Sequence, residues 1–290
     1  MNGPVMVALA GTAASEAALP VAMRVARAVG AGLHLVRVFD VQEDAIIASS
    51  GLVGAFDATQ DLAADMEAAL ERTAARVEAA GFDATAALLP RDDVPRTLLA
   101  EARRVDARVL VMATHARGAI GRALLGSVTD RVMKETDRPI ILVPPSAVPA
   151  ALPDAEDREL QRVLVPLGDS PGAERAAEVL LTLPHREQLE VVLLHAEGGA
   201  ARGGAHPDST AMADRLARAG IRAQARTVTM RSTESRAVAD AITAAARDAD
   251  ADLIAMTTCW RTGLARLGHH CTADAVVRTA SQPVLLVRAT

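Results

Sequence analysis

The sequence predicts an α/β protein made of two tandem doubly wound domains, each a five-stranded parallel sheet with flanking helices. Its 290 residues suit two domains of ordinary size. Three segments of the first half recur in the same order in the second half: residues 5–12 as 163–170, 107–114 as 251–258, and 138–143 as 282–287. A repeat this long indicates a duplicated domain rather than a short solenoid unit.

Short aliphatic runs and longer helical stretches alternate along each half. The short runs lack a two-residue alternation, which is typical of strands buried on both faces. The longer stretches have helical spacing, as at Leu62, Met66 and Leu70. Strands are predicted at 4–9, 33–38, 84–89, 108–113, 140–143, 162–167, 189–194, 222–228, 252–256 and 284–287. Helices are predicted at 15–29, 60–80, 93–104, 128–136, 171–182, 208–219, 234–247 and 273–280.

The chain divides into a domain at 1–145, a proline-rich linker at 146–159 and a domain at 160–290. We expect the same strand order in both domains, and we take one continuous sheet across both halves as evidence against this organisation. The last strands, 140–143 and 284–287, should lie at sheet edges. Pairing them would hide both edges and create an intramolecular pseudo-dimer. A homodimer of the whole chain remains open.

Composition excludes several classes of protein. The net charge of -5 and the four aromatic residues, Phe39, Phe56, Phe82 and Trp260, argue against binding to nucleic acid. The only lysine, Lys134, does not follow a phosphate-loop glycine, so a Walker A site is excluded. No apolar run reaches the ~18 residues of a spanning helix. The two cysteines form no disulfide framework, which favours a cytoplasmic location.

The loop after the fourth strand carries the clearest binding signal. Gly126 and Ser127 immediately precede a predicted helix, and Ser127 with Asp130 fits a capping box. Free amides at a helix N-terminus attract anions, and a glycine lets the ligand approach the backbone. Arg117 and Gly118 could close over the same anion, whereas His115 has no nucleophile beside it at motif spacing.

This loop, with the following residues 138–143, resembles the nucleotide-binding members of the universal stress protein family. Those members carry Gly-x-x-Gly, nine further residues, and then Gly-Ser or Gly-Thr. Residues 260–267 and 282–287 resemble the same region, so the resemblance covers both halves. It implies a tandem universal stress protein with an adenine nucleotide alpha hydrolase-like fold, and ATP or another adenine nucleotide as the ligand.

The resemblance also implies the binding residues of the first half. They are Leu9, Ala10, Thr12, Val38, Met112, Ala113, Arg117, Gly118, Gly126, Ser127, Val128 and Thr129. Several depart from the family pattern: Ala113 and Ala116 stand at the two glycine positions, and Ala10 replaces an aspartate that contacts adenine. Val38 matches a contact made through the backbone, which tolerates a changed side chain.

The second half departs further, and no nucleotide is expected there. Thr257 and Trp260 occupy its glycine positions, and His270 and Cys271 replace Gly-Ser. Asp169 stands one residue later than the family's aspartate, and such a shift turns a strand side chain to the other face.

Two motifs of the second half have other interpretations. Residues 168–172 fit the Gly-x-Ser-x-Gly elbow of a serine hydrolase, with Ser170 as nucleophile and Asp252 or Asp274 with His269 or His270 as partners. The alternative is a helix start, with Ser170 as N-cap and Pro171 as first helical residue, which the repeat favours because residues 11–15 lack the motif. A cluster of soft ligands could hold zinc, but its spacing matches no zinc pattern, and no metal is predicted. The cluster comprises Cys259, His269, His270 and Cys271.

The leading functional hypothesis is a cytoplasmic stress-response regulator that senses or stores a nucleotide in its first half. It is not an enzyme, because no paired carboxylates or metal cage accompany the anion loop. The alternative is an interaction scaffold in which both sites have decayed and an unidentified protein partner is bound.

Overall fold

The computed structural model describes residues 3–39, 55–90, 93–114, 125–147, 159–168, 172–198, 207–230, 232, 234–258 and 272–289. Strands β1 to β10 span Val5–Leu9, Leu33–Phe39, Ala84–Pro90, Val109–Ala113, Ile140–Val143, Arg162–Leu167, Glu190–Gly198, Arg222–Met230, Leu253–Thr258 and Val284–Arg288. Helices α1 to α9 span Ala13–Glu16, Leu19–Val29, Ala55–Ala79, Val94–Arg104, Ser127–Glu135, Arg175–Leu180, Pro207–Arg218, Ser235–Asp248 and Thr272–Thr279. The α/β class predicted from the sequence is therefore confirmed.

All ten strands form one sheet in the order β3-β2-β1-β4-β5-β10-β9-β6-β7-β8. Neighbouring strands within each half are parallel. Both halves have the same order, as the repeat predicted. Crossover helices between parallel strands explain why helices cover both faces.

The two halves meet at their last strands. β5 and β10 are antiparallel, with Ile141 opposite Leu285. This confirms the predicted pairing of 140–143 with 284–287, which hides two sheet edges. Our expectation that a continuous sheet would argue against two domains was wrong. Edge pairing of equivalent strands makes the sheet continuous while leaving each half's strand order intact.

Each face of the sheet has a hydrophobic core that continues from one half into the other. One core contains Val7 and Val165 with the residues that α2 and α6 bury against the sheet. The other contains Met6 and Leu164 with residues buried by α4, α5, α8 and α9. The inner strands bury both faces, which is why their sequences are continuously aliphatic.

The helix predicted at 15–29 is two helices in the structure. α1 ends at Glu16 and α2 begins at Leu19, with Pro20 in its first turn. Proline has no N–H to donate to a carbonyl one turn earlier, so it is tolerated at a helix start but not in the interior of one long helix.

The helix predicted at 171–182 is also shorter, because α6 begins at Arg175 with Glu174 as N-cap. Gly172 has a φ of +78°, which is a left-handed conformation. A right-handed helix cannot include this residue, so α6 does not extend back through Gly172. The described helix therefore begins four residues later than predicted, and the predicted cap Ser170 and first helical residue Pro171 lie outside the described residues. Within the described residues, no helix combines the length and apolarity needed to cross a membrane.

Candidate binding site

The carboxyl ends of β1 and β4 lie side by side at one edge of the sheet. Their pairing runs from Val5 opposite Val109 to Ala8 opposite Met112. The residues that follow, Leu9 and Ala113, are therefore neighbours at this edge, and both are buried. Ala10 is exposed beyond them. The structure thus brings together the predicted site residues of these two strands, where ligands bind in doubly wound sheets.

Helix α5 presents uncapped amides toward this edge. Gly126 is its N-cap, with φ -61° and ψ 150°, and makes no side-chain cap. Within the described part of the chain, the N–H groups of Ser127, Val128 and Thr129 have no hydrogen-bond partner. Three free amides at the positive end of a nine-residue helix form an anion-binding arrangement.

The predicted capping box at this helix is absent. The helix begins at Ser127, one residue earlier than that motif requires, so Ser127 is the first helical residue and not the cap. Asp130 does not reach back to the N-terminus, because its carboxylate accepts a hydrogen bond of 2.6 Å from Lys134. The residue types of a capping box are present, but each lies one position later in the helix than the motif requires.

Space is open above the N-cap. A Cβ atom built on Gly126 would meet no heavy atom within 4 Å. Its backbone angles are also ordinary for any residue. The backbone therefore does not require glycine here, and a side chain would instead occupy the space in front of the free amides.

Thr12 holds the turn after β1. Its hydroxyl accepts a hydrogen bond of 3.2 Å from the Ser15 amide, and its own amide donates to Ser15 Oγ at 3.2 Å. This reciprocal capping box fixes the start of α1. Thr12 thus shapes the loop, and Ser15 of this box is buried.

Val38 belongs to β2, and its backbone extends just past the end of the neighbouring strand β1. The β1–β2 pairing ends with Leu9 opposite Arg37, whereas the β2–β3 pairing continues to Phe39 opposite Pro90. Val38 is half-buried and packs against one of the cores. Its backbone is therefore one residue past the last paired position of β1, at the site edge.

Sequence reasoning missed Arg37. Its guanidinium lies against Gly11, whose φ is +69°: a Cβ built on Gly11 would be 2.4 Å from Arg37 Cζ and Nη1. Within the described residues Arg37 makes no hydrogen bond or ion pair, and it is half-buried. A charged residue near the end of a largely aliphatic strand, 33–38, was the signal that could have identified it.

A second arginine near this edge is already paired. Arg131 of α5 donates a hydrogen bond of 2.9 Å to Asp93, the N-cap of α4, and another of 3.4 Å to Glu135. The hydrogen bond from Arg131 lowers the pKa of Asp93 below its usual value. Arg131 therefore ties α4 to α5 and is less available to a ligand than Arg37.

Four residues of the predicted anion loop, His115, Ala116, Arg117 and Gly118, lie outside the described residues. The closing of Arg117 and Gly118 over an anion stays a prediction. The proposed nucleophile Ser170, the displaced Asp169 and Trp260 are likewise outside, together with Cys259, His269, His270 and Cys271. Among residues that are described, no cluster of three metal-ligating side chains occurs.

At the corresponding edge of the second half, a side chain joins the strand end to a helix. Thr257 stands where the first half has Ala113. Its hydroxyl accepts a hydrogen bond of 3.0 Å from the Ala176 amide and donates one of 2.9 Å to the Ala173 carbonyl. These two bonds tie the end of β9 to the start of α6. A protein contact therefore occupies a position that in the first half carries only a methyl group.

Comparisons with known proteins agree with this architecture. The sequence model of the universal stress protein family matches residues 1–144 and 159–288, so the chain belongs to the universal stress protein family and contains two copies of its domain. No curated protein sequence matches the chain.

Two solved structures show the same fold across the full length. A universal stress protein from Archaeoglobus fulgidus DSM 4304 is 18% identical, with a TM-score of 0.71, and the match covers 99% of this chain and 97% of that chain. A functionally unknown protein from Pseudomonas aeruginosa PAO1 is 14% identical, with a TM-score of 0.61, covering 98% and 92%. An A. fulgidus universal stress protein in complex with dAMP matches 49% of this chain and 98% of its own at 20% identity and a TM-score of 0.36.

Proposed function

We propose that the first half binds a nucleotide, with its phosphates on the α5 amides, and that this universal stress protein responds to nucleotide in the cytoplasm. The observation that carries the proposal is the uncapped N-terminus of α5, where the amides of Ser127, Val128 and Thr129 lack partners in the described structure. The family pattern at Gly126 to Thr129 implies an adenine nucleotide, so ATP is the first ligand to test.

The remaining predicted site residues fit the same proposal. Leu9 is the last residue of β1, and Ala10 and Thr12 follow it. Met112 and Ala113 end β4, and Val38 is the last residue but one of β2, which supports a shared site at this edge of the sheet. We propose binding without turnover: the chain would sense or store the nucleotide. Phosphate release from ATP should then stay at the level of a protein-free control.

The substitution Gly126→Asp tests the placement of the phosphates. An aspartate at an N-cap accepts hydrogen bonds from the second or third helical amide, which would compete directly with a phosphate. It also places a negative charge against an anion. Because the position has room for a side chain, the variant should fold normally.

Titration calorimetry with ATP should show binding to the wild type and at least tenfold weaker binding to Gly126→Asp. The matched control is Gly168→Asp, which adds the same charge at another glycine with open space, at the end of β6. The control should bind as the wild type does. Equal binding by Gly126→Asp would contradict the placement, and no binding of any nucleotide by the wild type would favour the scaffold with a protein partner.

A further inference from the structure

The two outer strands of the ten-stranded sheet, β3 and β8, differ in how their edges are protected. Within the described part of the chain each pairs with a neighbour on one side only, so backbone groups on its other side lack a strand partner. β8 carries two exposed arginines, Arg222 and Arg226, and charged side chains on an edge discourage the addition of another strand. β3 contains no charged residue from Ala84 to Pro90, so its edge lacks this protection.

A groove of about 300 Å³ lies beside the β3 edge, between this strand and α3. Leu70 and Ala74 of α3 and Ala86 and Leu88 of β3 form its apolar part. Ala86 and Leu88 are two residues apart, so they lie on one face of the sheet, the face that α3 covers. A strand added to β3 would therefore direct alternate side chains toward this groove.

Three carboxylates stand along the groove on one flank of α3. Glu67, Glu71 and Glu78 are exposed, and they make no hydrogen bond or ion pair with any residue that the structure describes. The opposite flank of α3 faces the interior of the sheet, because Arg76 there donates a hydrogen bond of 3.0 Å to Glu16 of α1. No basic side chain is among the described residues that line the groove. A segment that approaches β3 on this face therefore meets only negative charge.

The spacing of these carboxylates suits an extended basic segment. Glu67 and Glu78 are eleven residues apart, which corresponds to about 16 Å along a helix. Side chains on one face of a strand recur about every 6.7 Å, so three successive ones span about 13 Å. An antiparallel pair of β3 strands from two copies of the chain would instead bring two sets of carboxylates to the same face, where they repel. The charge thus favours a basic partner over a second copy.

We propose that the β3 edge and the three carboxylates of α3 form a docking site for a basic, extended segment of another protein, which binds as an added strand. Backbone hydrogen bonds to β3 supply affinity, and lysine or arginine at alternate positions of the segment supplies selectivity. The side chains between them lie on the other face, beside Ala87 and Leu89. No residue of β3 or α3 belongs to the proposed nucleotide site, so either proposal can fail without the other.

The probe is the peptide Thr-Lys-Val-Lys-Val-Lys-Thr, acetylated and amidated, and its binding to the full chain is measured by calorimetry. The peptide should bind, and the same peptide with glutamate in place of each lysine should bind about tenfold more weakly or worse. Replacing the three carboxylates of α3 by glutamine should weaken binding of the lysine peptide about fivefold or more. The matched control removes three exposed carboxylates of the second half and should bind as the wild type does. The control variant is Glu174→Gln, Glu187→Gln and Glu234→Gln.

Two N-methylated versions of the lysine peptide test whether it binds as a strand. Alternate residues of a strand direct their N–H groups to the same side, so methylation at the lysines and methylation at the valines remove donors from opposite sides. One version should lose affinity and the other should keep it. Hydrogen exchange of the amides at 84–89 should slow when the parent peptide binds. Ala86→Lys, at an exposed position of the groove, places a cation among the carboxylates and should also abolish binding.

Several results would overturn the proposal. The lysine peptide could fail to bind at millimolar concentration, or it could bind equally well to the chain that has glutamine at all three α3 positions. Equal binding by both N-methylated versions would show attraction by charge without strand addition. Sedimentation that shows a dimer of the wild type, and a monomer of Ala86→Lys, would assign the β3 edge to a second copy of the chain instead.

Discussion

The two halves share a strand order but differ in what stands at the carboxyl edge of the sheet. In the first half, the first amides of α5 have no partner among the described residues, and β4 ends in Ala113. In the second half, Thr257 ties β9 to α6 by two hydrogen bonds. The halves thus differ at the ends of equivalent strands: Ala113 offers no side-chain hydrogen bond, whereas the Thr257 hydroxyl joins β9 to α6 without changing the strand order.

The interiors of the halves differ as well. In the first half, His34 of β2 and Glu101 of α4 are buried, 2.7 Å apart. Arg104 donates two hydrogen bonds to the same carboxylate, at 2.7 and 2.6 Å, and the other ring nitrogen of His34 is 2.8 Å from Thr85 Oγ1. By the register of the repeat, the second half has Val192 and Ala245 in place of His34 and Glu101. One half is stabilised partly by a buried charge, and the other by apolar packing.

The largest expected effect comes from neutralising that buried charge. Glu101→Gln keeps the shape but weakens the bonds to Arg104 and His34, and it should lower the free energy of unfolding by about 1.5–3 kcal/mol. Urea unfolding measures it. The control Glu178→Gln removes a partly exposed partner of Arg215 in the second half and should cost less than about 1 kcal/mol. Equal losses in the two variants would contradict the comparison.

The same network predicts a pH dependence. Hydrogen bonding from Arg104, aided by His34, lowers the pKa of Glu101 from 4.5 to about 2. A lowered pKa in the folded state adds stability that is fully present above the unfolded value and is lost as the pH falls toward the folded one. The difference between wild type and Glu101→Gln should therefore be constant above about pH 5 and shrink between pH 4.5 and 2. A difference that grows on acidification would be inconsistent with this account.

The next effect concerns the tie in the second half. Thr257→Val removes both hydrogen bonds and leaves the amide of the buried Ala176 unpaired, at a cost of about 1–3 kcal/mol. Chemical denaturation measures it. The variant should not gain a nucleotide, because Trp260 and the missing Gly-Ser pair still separate this half from the family pattern. A second bound nucleotide would show that Thr257 alone closed the site.

The smallest expected effect is a change in stability on replacing one threonine by valine, and its sign should differ between the two halves. Thr114 and Thr258 are equivalent and equally buried, but the Thr114 hydroxyl donates to the Val143 carbonyl at 3.3 Å, whereas the Thr258 hydroxyl has no partner among the described residues. Thr114→Val should destabilise by about 0.5–1.5 kcal/mol, and Thr258→Val should stabilise by about 1 kcal/mol. Parallel thermal melts compare them, and two changes of the same sign would count against the assignment.

Much of the fold could be predicted because it depends on hydrophobic pattern and repetition. The segments around Val5 and Val163 indicated the duplication, and the edge position of 140–143 indicated how the halves join. Helix starts were harder. Pro20 is visible in the sequence but fits both a helix start and a kink, and the positive φ of Gly172 depends on the chain path around it.

The candidate site was predictable where it depends on backbone and not where it depends on side-chain direction. Gly126 and Ser127 identified the free helix terminus, although the helical register differed by one residue. Arg37 was overlooked because a strand residue can point to either face, and its stacking on Gly11 requires the turn after β1. Thr257 was recognised as a departure from the family pattern, and the structure adds the contacts it makes.

The asymmetry between the halves is tested most directly by counting the nucleotides bound per chain at saturation. Equilibrium dialysis of the full chain against ATP should give one nucleotide per chain for the wild type and for Gly168→Asp, and a large loss for Gly126→Asp. Two nucleotides per chain, or one that persists in Gly126→Asp, would contradict a binding site confined to the α5 terminus of the first half.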